Sequence, residues 1–572
     1  RNVRKRITTM TTSREKLIEE MFEKGILLNE ELLQKGLDKN LRQKLETESD
    51  LIVLNDDYVD VIKQESSLVD WHEVDEMRVN SEKDRNDDIY QSQLQSFKTS
   101  TLSIDVPQHK SNQDVSSLEV ELEDTQKTNL GTPEELKEKE HLELELSPQN
   151  IVQPSSAVTI IISYENKPHK FTVADFTHFF TSRFKFLENI LRNRQELKNM
   201  LSISRVLEKK ERENVSIIGI VEEIGETKNG NLMLTLEDFT GKIKVLISKN
   251  KKDLFLDGKD LVYDEVVGIS GVTGDKIIFA ENVVWPDIPS TNVMKKGPEE
   301  EHVIFLSDIH VGSKYFLEEP FKKFIEWTNG NVGNEAQRNI ARNLKYIFIA
   351  GDVVDGVGIY PGHEEELFIT TIEGQYQKFV ELIKGIPSHI PIIICPGNHD
   401  LVHLAEPQPV LYQQFVPGLF ELPNVELVTN PALINIGKTK DFEGFNVQMY
   451  HGYSFDYYVA NVESIRNGGG YKRADLIMKF LLKRRHMAPS FTSTPYYPGH
   501  KEDPLLIKKV PDFLITGHIH YSSVANYKGI TMISGSCWQS MTSFQEKLGH
   551  EPEPGRVPVV NLKTREVKVL RF

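Results

Sequence analysis

Five short apolar runs, each ending in Asp, Asn or His, constrain this chain more than any other feature of its sequence. The runs are residues 303–306, 346–350, 390–395, 445–450 and 513–516. Each is too short for a helix, and the third stops at Pro396-Gly397, so we predict buried strands of the parallel-sheet kind. Ligands gather at the carboxyl ends of such strands, so the polar residues there are predicted to form one site.

The polar residues that follow these runs are metal-binding types. They are Asp308 and His310, Asp352 and Asp355, Asn398 and His399, His451, and His518 and His520. A lone Asp or His at a strand end is usually structural, but five such ends in order indicate a function. Carboxylates and imidazoles suit Mn²⁺, Fe²⁺ or Zn²⁺, while two isolated cysteines argue against a structural zinc cluster.

The order Asp-x-His, Gly-Asp-x-x-Asp, Gly-Asn-His-Asp, His-Gly, Gly-His-x-His resembles the signature of the calcineurin-like metallophosphoesterases. The resemblance spans roughly residues 300 to 525, and it implies an α/β sandwich of two mixed sheets flanked by helices. It also implies two divalent ions, with Mn²⁺ expected and Mg²⁺, Fe²⁺ or Zn²⁺ as alternatives. The implied ligands are Asp308, His310 and His520 for one ion, Asn398, His451 and His518 for the other, and Asp352 as the bridge.

His399 and Asp355 are the catalytic residues that this resemblance implies. His399 binds neither ion in the scheme, so it would protonate the leaving oxygen, which requires a cationic ring at working pH. Asp355 would be its partner, because a neighbouring carboxylate raises the pKa of a histidine. We interpret His363, in an acidic loop, as a surface residue rather than a ligand of a third metal.

The net charge of -17 is concentrated in one segment. Residues 51–150 contain 24 Asp and Glu against 9 Lys and Arg, which is -15 of that total. The catalytic part is therefore nearly neutral, and local basic patches could engage phosphates. The two cysteines, and the lack of a long apolar run or a signal peptide, lead us to expect reduced thiols in a cytoplasmic protein.

The first third of the sequence is predicted to contain a module and a linker. Apolar residues at helical spacing predict a small helical module over residues 1–65. Residues 66–155 are acidic and poor in aromatic residues, so we predict a disordered linker. Within it, Gln91, Leu94 and Phe97 resemble a sliding-clamp-binding peptide, although Lys98 replaces its second aromatic residue.

Residues 156–200 are predicted to form a helical connector, and residues 201–290 change to a period of two. Five short strands separated by Gly and Asn turns resemble an OB-fold barrel of the nucleic-acid-binding type. Such barrels bind single strands by aromatic stacking, but these strands carry few aromatic residues. A packing platform for the catalytic domain or another subunit is an equal alternative.

A barrel directly before a phosphoesterase domain, here residues 300–572, resembles the small subunits of replicative DNA polymerases. Residues 351–361, 481–489 and 554–563 resemble those of archaeal DNA polymerase D. The resemblance implies a 3′→5′ proofreading exonuclease that acts on mismatched or single-stranded DNA ends, with the large polymerase subunit as partner. Lys483, Arg484 and Arg485 are candidates for holding the DNA backbone.

Three other functions compete with this interpretation. A catalytically silent scaffold subunit would keep the fold, and eukaryotic relatives are understood to have lost their metal ligands, whereas all seven are present here. A double-strand-break-repair nuclease shares the five motifs, but its phosphoesterase domain is expected to come first. A protein or small-molecule phosphatase shares the motifs as well.

Overall fold

The computed structural model describes residues 27–28, 53–54, 158–165, 170–548 and 550–572. The chain divides into two compact units, Arg1–Val152 and Gln153–Phe572. In the first, β1 (Leu27–Leu28) pairs in parallel with β2 (Val53–Leu54), so these four residues of the predicted helical module are in strands. The rest of the predicted helical module, the acidic linker and the peptide of Gln91, Leu94 and Phe97 lie outside the described residues.

The predicted connector contains one strand and one long helix. Helix α1 (Val173–Leu191) begins at a capping box of Thr172 and Asp175 and ends nine residues before the predicted boundary. Its apolar face, which includes Phe184 and Leu187, packs against the barrel described below. Strand β3 (Val158–Ile162) instead pairs with a strand of the phosphoesterase domain, so this segment contributes to two structural units.

The five strands of residues 201–290 close into a barrel, which confirms the predicted strands. After the short helix α2 (Ile203–Leu207) they are β4 (Asn214–Glu226), β5 (Leu232–Asp238), β6 (Gly241–Ile247), β7 (Val266–Thr273) and β8 (Ile277–Val284), with α3 (Lys252–Lys259) between β6 and β7. The closed order is β4-β5-β6-β8-β7. Pairing is antiparallel except between β6 and β8. Inward-facing Val, Ile and Leu side chains fill the barrel.

Two six-stranded sheets form the remainder, and they confirm the predicted mixed sandwich. The strands are β9 (His302–Leu306), β10 (Leu344–Ala350), β11 (Ile392–Cys395), β12 (Val425–Leu427), β13 (Ala432–Ile436), β14 (Phe445–Met449), β15 (Phe513–Thr516), β16 (Ser523–Tyr527), β17 (Ile530–Ser534), β18 (Arg556–Asn561) and β19 (Val567–Arg571). One sheet has the order β12-β11-β10-β9-β18-β19 and the other β16-β17-β15-β14-β13-β3.

Helices cover the outer face of each sheet. They are α4 (Glu318–Thr328), α5 (Glu335–Arg342), α6 (Ile372–Ile383), α7 (Pro417–Phe420), α8 (Phe455–Asn461), α9 (Glu463–Asn467), α10 (Ala474–Arg484) and α11 (Ser543–Leu548). Short 3₁₀ turns lie at His363–Glu366, Gly470–Lys472 and Phe491–Ser493. The inner faces share a core that includes Phe305, Phe348, Val447 and Phe513. Strands buried on both faces explain why their sequences are continuous apolar runs.

The strand order brings the predicted site together. Strands β9, β10 and β11 are parallel neighbours in one sheet, and β14 and β15 are parallel neighbours in the other. All five therefore deliver their following residues to the same edge of the sandwich. Across the part of the chain that the structure describes, no helix combines the length and apolar character needed to cross a membrane.

Candidate metal centre

The backbone at the strand ends is held in an uncommon conformation. Five predicted ligands have positive φ angles between 51° and 72°, namely Asp308, His310, Asp352, His518 and His520. Side chains other than glycine rarely adopt this left-handed region, and such residues cluster at functional sites. The same turn geometry is thus repeated after three different strands, and it points each side chain toward the shared edge.

Glycines allow the loops to approach one another. A Cβ atom at Gly397 would lie 2.2 Å from Asp352 Oδ1, and one at Gly517 would lie 2.5 Å from Asp308 Oδ2. The Gly-Asn-His-Asp and Gly-His-x-His motifs therefore need their glycines for close contact with the two carboxylates. Main-chain bonds complete these contacts, since His399 N donates to Asp352 Oδ1 at 2.8 Å and His518 N donates to Asp308 Oδ1 at 3.0 Å.

The seven predicted ligands converge into two adjoining groups. In the first, donor atoms of Asp308, His310 and His520 all lie within 4.8 Å of one another. Donor atoms of Asp352, His451 and His518 satisfy the same limit in the second group. Asn398 Oδ1 belongs to this second group, because it lies 2.9 Å from His451 Nε2 and 2.9 Å from His518 Nδ1.

Asp352 lies between the two groups. Its Oδ2 is 3.2 Å from His451 Nε2 and 3.9 Å from His310 Nε2, so one carboxylate oxygen faces both sets of imidazoles. This is the position that a bridging carboxylate would occupy. The donor set of carboxylates, imidazoles and one amide oxygen fits borderline or hard divalent ions, and neither cysteine takes part.

The electrostatics of the site keep its carboxylates ionised. Burial raises the pKa of Asp352, but the adjacent His451 and His399 outweigh it and hold this pKa well below its usual range. The same balance, dominated on the lowering side by His520, depresses the pKa of Asp308. Burial lowers the pKa of His451, yet Asp352 raises it to about 10. The cavity is thus built around negative charge, as a cation site requires.

Residues behind the ligands fix the orientation of their rings. Asp355 Oδ1 lies 2.9 Å from His310 Nδ1, which leaves Nε2 of that ring for a metal. The Gln545 amide lies 2.8 Å from His520 Nδ1, and Asp456 Oδ2 lies 2.9 Å from His518 Nε2. The carboxylates in these positions set the tautomer of a metal-binding histidine, and the Gln545 amide holds the orientation of the His520 ring.

The Asp355 carboxylate contacts other partners than the one that the sequence interpretation assigned to it. Its carboxylate contacts His310 and, at 3.2 Å, His363 Nε2, whereas His399 Nδ1 lies 2.7 Å from its main-chain carbonyl oxygen. Burial lowers the pKa of His399 to about 4 despite the opposing effect of Asp352. The structure therefore gives His399 a direct contact with the Asp355 carbonyl oxygen, not with the Asp355 carboxylate that the sequence interpretation had assigned to it. The carbonyl instead fixes a proton on Nδ1 and leaves Nε2 available.

His363 is also placed differently from its prediction. The sequence indicated a surface histidine, but the side chain is fully buried and contacts Asp355. Its acidic neighbours Glu364 and Glu365 are exposed, and their charge was the reason for predicting an exposed histidine. The sequence interpretation missed Gln545 and Asp456, and also Gln539, whose Nε2 donates to Asp355 Oδ1 at 2.9 Å. No periodicity or motif marks these residues. Gln539 has one weak signal: it follows a buried strand, β17, as the predicted ligands do.

Arg484 and Arg485 do not form the predicted DNA contact. Both side chains are buried: Arg484 Nε lies 2.7 Å from Glu265 Oε2, and Arg485 donates to the Ile507 carbonyl oxygen. Lys483 is half-buried, with its ammonium 3.9 Å from the centre of the Trp285 ring. The basic residues at the end of α10 therefore contact the barrel and a neighbouring loop. The DNA-binding prediction is wrong for the two arginines.

Comparison with known proteins agrees with this geometry. Residues 301–522 match the calcineurin-like phosphoesterase family, a class of metal-dependent enzymes. The chain is 38% identical over 400 residues to the DNA polymerase II small subunit of Methanothermobacter thermautotrophicus, covering 70% of this chain and 80% of that protein. It is 39% identical over 401 residues to the same subunit of Archaeoglobus fulgidus, covering 70% and 77%. The chain belongs to the family of small subunits of archaeal DNA polymerase D.

Proposed function

We propose that this chain carries a two-metal 3′→5′ proofreading exonuclease within a two-subunit replicative DNA polymerase. One observation carries the proposal: all seven predicted ligands meet in two adjoining groups, and His399 lies beside them in a third group, with donor atoms of His310 and Asp355 within 4.8 Å. A subunit that only scaffolds the polymerase has no need for this complete set or for five ligands in left-handed backbone.

The proposed ions are divalent, with Mn²⁺ as the expected ion. Asp308, His310 and His520 would hold one, Asn398, His451 and His518 the other, and Asp352 both. When bound, such a pair supplies Lewis acidity at the phosphoryl group and activates the attacking water. In the hydrolysis, water attacks the phosphorus and the bond to the O3′ atom of the preceding nucleotide breaks, which releases a nucleoside 5′-monophosphate.

His399 would manage the proton of the leaving oxygen. Asp355 O fixes the ring through Nδ1, so that Nε2 is the nitrogen left for substrate. Although burial keeps the pKa of the free ring at about 4, an anionic phosphate beside Nε2 raises it. The ring would thus be protonated by substrate binding and would donate to O3′. Asn398, His399 and His518 are only half-buried, so this side of the site is open to a strand.

The barrel and the partner complete the proposal. The barrel order β4-β5-β6-β8-β7, with β6 parallel to β8 and α3 between β6 and β7, supports an OB-fold. The polymerizing large subunit is the proposed partner, since the relatives bear the name of a small subunit. Buried contacts from α1 and α10 give the barrel a packing role as well.

The competing phosphatase is separated by its substrate. The purified chain, alone and with the large subunit, is given p-nitrophenyl phosphate and a single-stranded oligonucleotide in separate Mn²⁺ reactions. We expect the oligonucleotide to be shortened from its 3′ end with a higher kcat/KM than the monoester shows. Preference for the monoester would remove the nuclease function, and shortening from the 5′ end would remove the proofreading function.

A further inference from the structure

An aromatic pair at the rim of the metal centre has no part in the function described so far. The rings of Tyr360 and Phe544 stack with centroids 4.6 Å apart and planes inclined by 12°. Tyr360 lies in the loop that follows β10, and Phe544 lies on α11, almost 200 residues later in the sequence. Tyr360 covers one face of Phe544, yet 40% of the Phe544 side chain remains exposed.

Two chains of contacts connect this pair to the proposed catalytic residues. The Tyr360 ring lies 4.4 Å from the His363 ring, whose centroid is 6.1 Å from that of His399. On the other side, Gln545 follows Phe544 in sequence and contacts His520 Nδ1. Three ring-to-ring steps of 4.6, 4.4 and 6.1 Å thus connect Phe544 to His399, and Gln545 connects its helix to the proposed ligand His520.

A buried carboxylate fixes the pair in place. Glu366 Oε2 accepts a hydrogen bond of 2.7 Å from the Tyr360 hydroxyl, and its Oε1 accepts one from Ser543, the residue before Phe544. One side chain thus ties the loop to α11. The orientation of both rings is set before any ligand arrives, so a flat ligand would lose little conformational entropy from the protein on binding there.

The charges around the pair favour one part of a DNA strand. Glu364 and Glu365 are exposed in the same loop, and their carboxylates repel phosphate groups. A 3′-terminal nucleoside has no phosphate beyond the scissile one, because its sugar ends in a hydroxyl group. An internal stretch of DNA would bring the next phosphate toward these carboxylates. A protein partner gives no comparable reason for a stacked aromatic pair beside the catalytic centre.

We propose that Phe544, supported by Tyr360, stacks against the base of the 3′-terminal nucleotide, and that Glu364 and Glu365 exclude a further phosphate. This inference rests on the proposed exonuclease function and deepens it. A paired base stacks within its duplex and is not free to reach Phe544, whereas a mismatched or unpaired base is. The Phe544 ring would thus select frayed ends and restrict cleavage to one terminal nucleotide at a time.

The test uses the complex of both subunits and two oligonucleotides that differ only in the terminal residue, which carries a base or is abasic. Base stacking on a protein ring changes affinity by roughly 5- to 140-fold. We expect Phe544→Ala to raise KM by that factor for the end with a base and to leave the abasic end unchanged. Phe544→Trp should restore the base-bearing end, and Phe544→Leu, which fills similar volume without an aromatic face, should not.

Phe420→Ala is the matched control, because Phe420 has a similar exposure of 43% and lies on α7, which packs against α6. Equal loss on both ends in Phe544→Ala would mean that the ring only supports α11 and would overturn the proposal. Weaker association with the large subunit would make the ring a subunit contact instead. If the unaltered complex degrades neither end, the exonuclease function itself fails, which is a different result.

The proposed exclusion of a further phosphate by Glu364 and Glu365 has a separate test. A 3′-phosphorylated end should be degraded more slowly than a 3′-hydroxyl end by the unaltered complex. Glu364→Gln combined with Glu365→Gln should reduce that difference at least threefold, measured as the ratio of the two rates within each protein. An unchanged preference in the double variant would contradict the role given to the two carboxylates.

Discussion

At the scale of single residues, the site depends on where a carboxylate meets the imidazoles around it. Asp352 is buried and faces donors of both groups, so its loss affects both proposed ions. Asp355 has a different role: it contacts His310 and His363 through its carboxylate and His399 through its carbonyl. The first residue is a proposed ligand, and the second positions three rings.

Asp352→Asn should remove bound metal. The amide keeps the shape of the side chain but loses the negative charge that a bridging ligand requires, so we expect the loss of both Mn²⁺ ions. The measurement is metal content by mass spectrometry after dialysis against Mn²⁺. Glu406→Gln is the control, since Glu406 is a buried carboxylate of the same domain that belongs to neither donor group. Full metal content in Asp352→Asn would contradict the bridging role.

Asp355→Asn should weaken Mn²⁺ binding although it removes none of the proposed metal ligands. The amide can still contact one histidine but cannot accept from both, so His310 loses part of its orientation. Altered partners behind a ligand typically cost 10- to 100-fold in metal affinity or activity. We expect an increase of that size in the Mn²⁺ concentration needed for half-maximal activity. An unchanged Mn²⁺ dependence would show that the carboxylate is not needed to orient His310.

At the scale of elements, buried polar clusters attach the barrel and α1 to the phosphoesterase domain. Glu265, from the barrel, accepts from Val262 N and Trp285 Nε1 and pairs with Arg484 of α10. Arg183 of α1 lies 2.7 Å from Asp503, which also accepts from His486 at 2.7 Å. These contacts give the connector and the barrel a fixed place against the catalytic domain.

Arg484→Met should destabilise the chain by about 3–5 kcal/mol, because it leaves the Glu265 carboxylate buried without its cation. The measurement is the free energy of unfolding in urea. Lys483→Met is the control on the same helix, and the half-buried lysine should matter less. Adding Glu265→Gln to Arg484→Met should recover part of the loss. Normal stability with weakened binding of single-stranded DNA would instead restore the DNA role predicted from the sequence.

His486 should make the stability of this region depend on pH. Burial lowers the pKa of His486 from 6.5 to about 4, so only the unfolded ring takes up a proton between these values. Its contribution to stability is full above pH 6.5 and is lost as the pH falls toward 4, with about 2 kcal/mol lost by pH 5. His486→Gln should therefore show a smaller fall in unfolding free energy between pH 7 and pH 5. Equal falls in both proteins would contradict this.

The sequence predicted the elements whose determinants are local. Strand β15 begins and ends where its apolar run does, and the barrel strands follow their alternating pattern within a few residues. It did not predict the pairing of β3 with β13 or the burial of Arg484, since these depend on partners more than two hundred residues away. The ligands were found because a motif joins them, whereas the residues that orient them follow no motif.

At the scale of the whole molecule, binding of metal should be coupled to the stability of the sandwich. The donors come from loops of both sheets, so a bound ion would link the two sheets at one edge. A ligand at 100 times its dissociation constant stabilises a protein by about 2.7 kcal/mol. We expect Mn²⁺ to raise the melting temperature, EDTA to reverse this, and Asp352→Asn to show neither effect. An unaltered protein insensitive to both would contradict the coupling.

We propose that this subunit removes mismatched 3′ nucleotides with His399 and two metals. The most direct test is degradation of a 3′-mismatched primer by the two-subunit complex, in Mn²⁺ and without deoxynucleotides. We predict release of nucleoside 5′-monophosphates by the unaltered complex. His399→Ala should abolish this release while metal content and subunit association stay normal. Primer degradation at an unchanged rate by the His399→Ala complex would contradict the account.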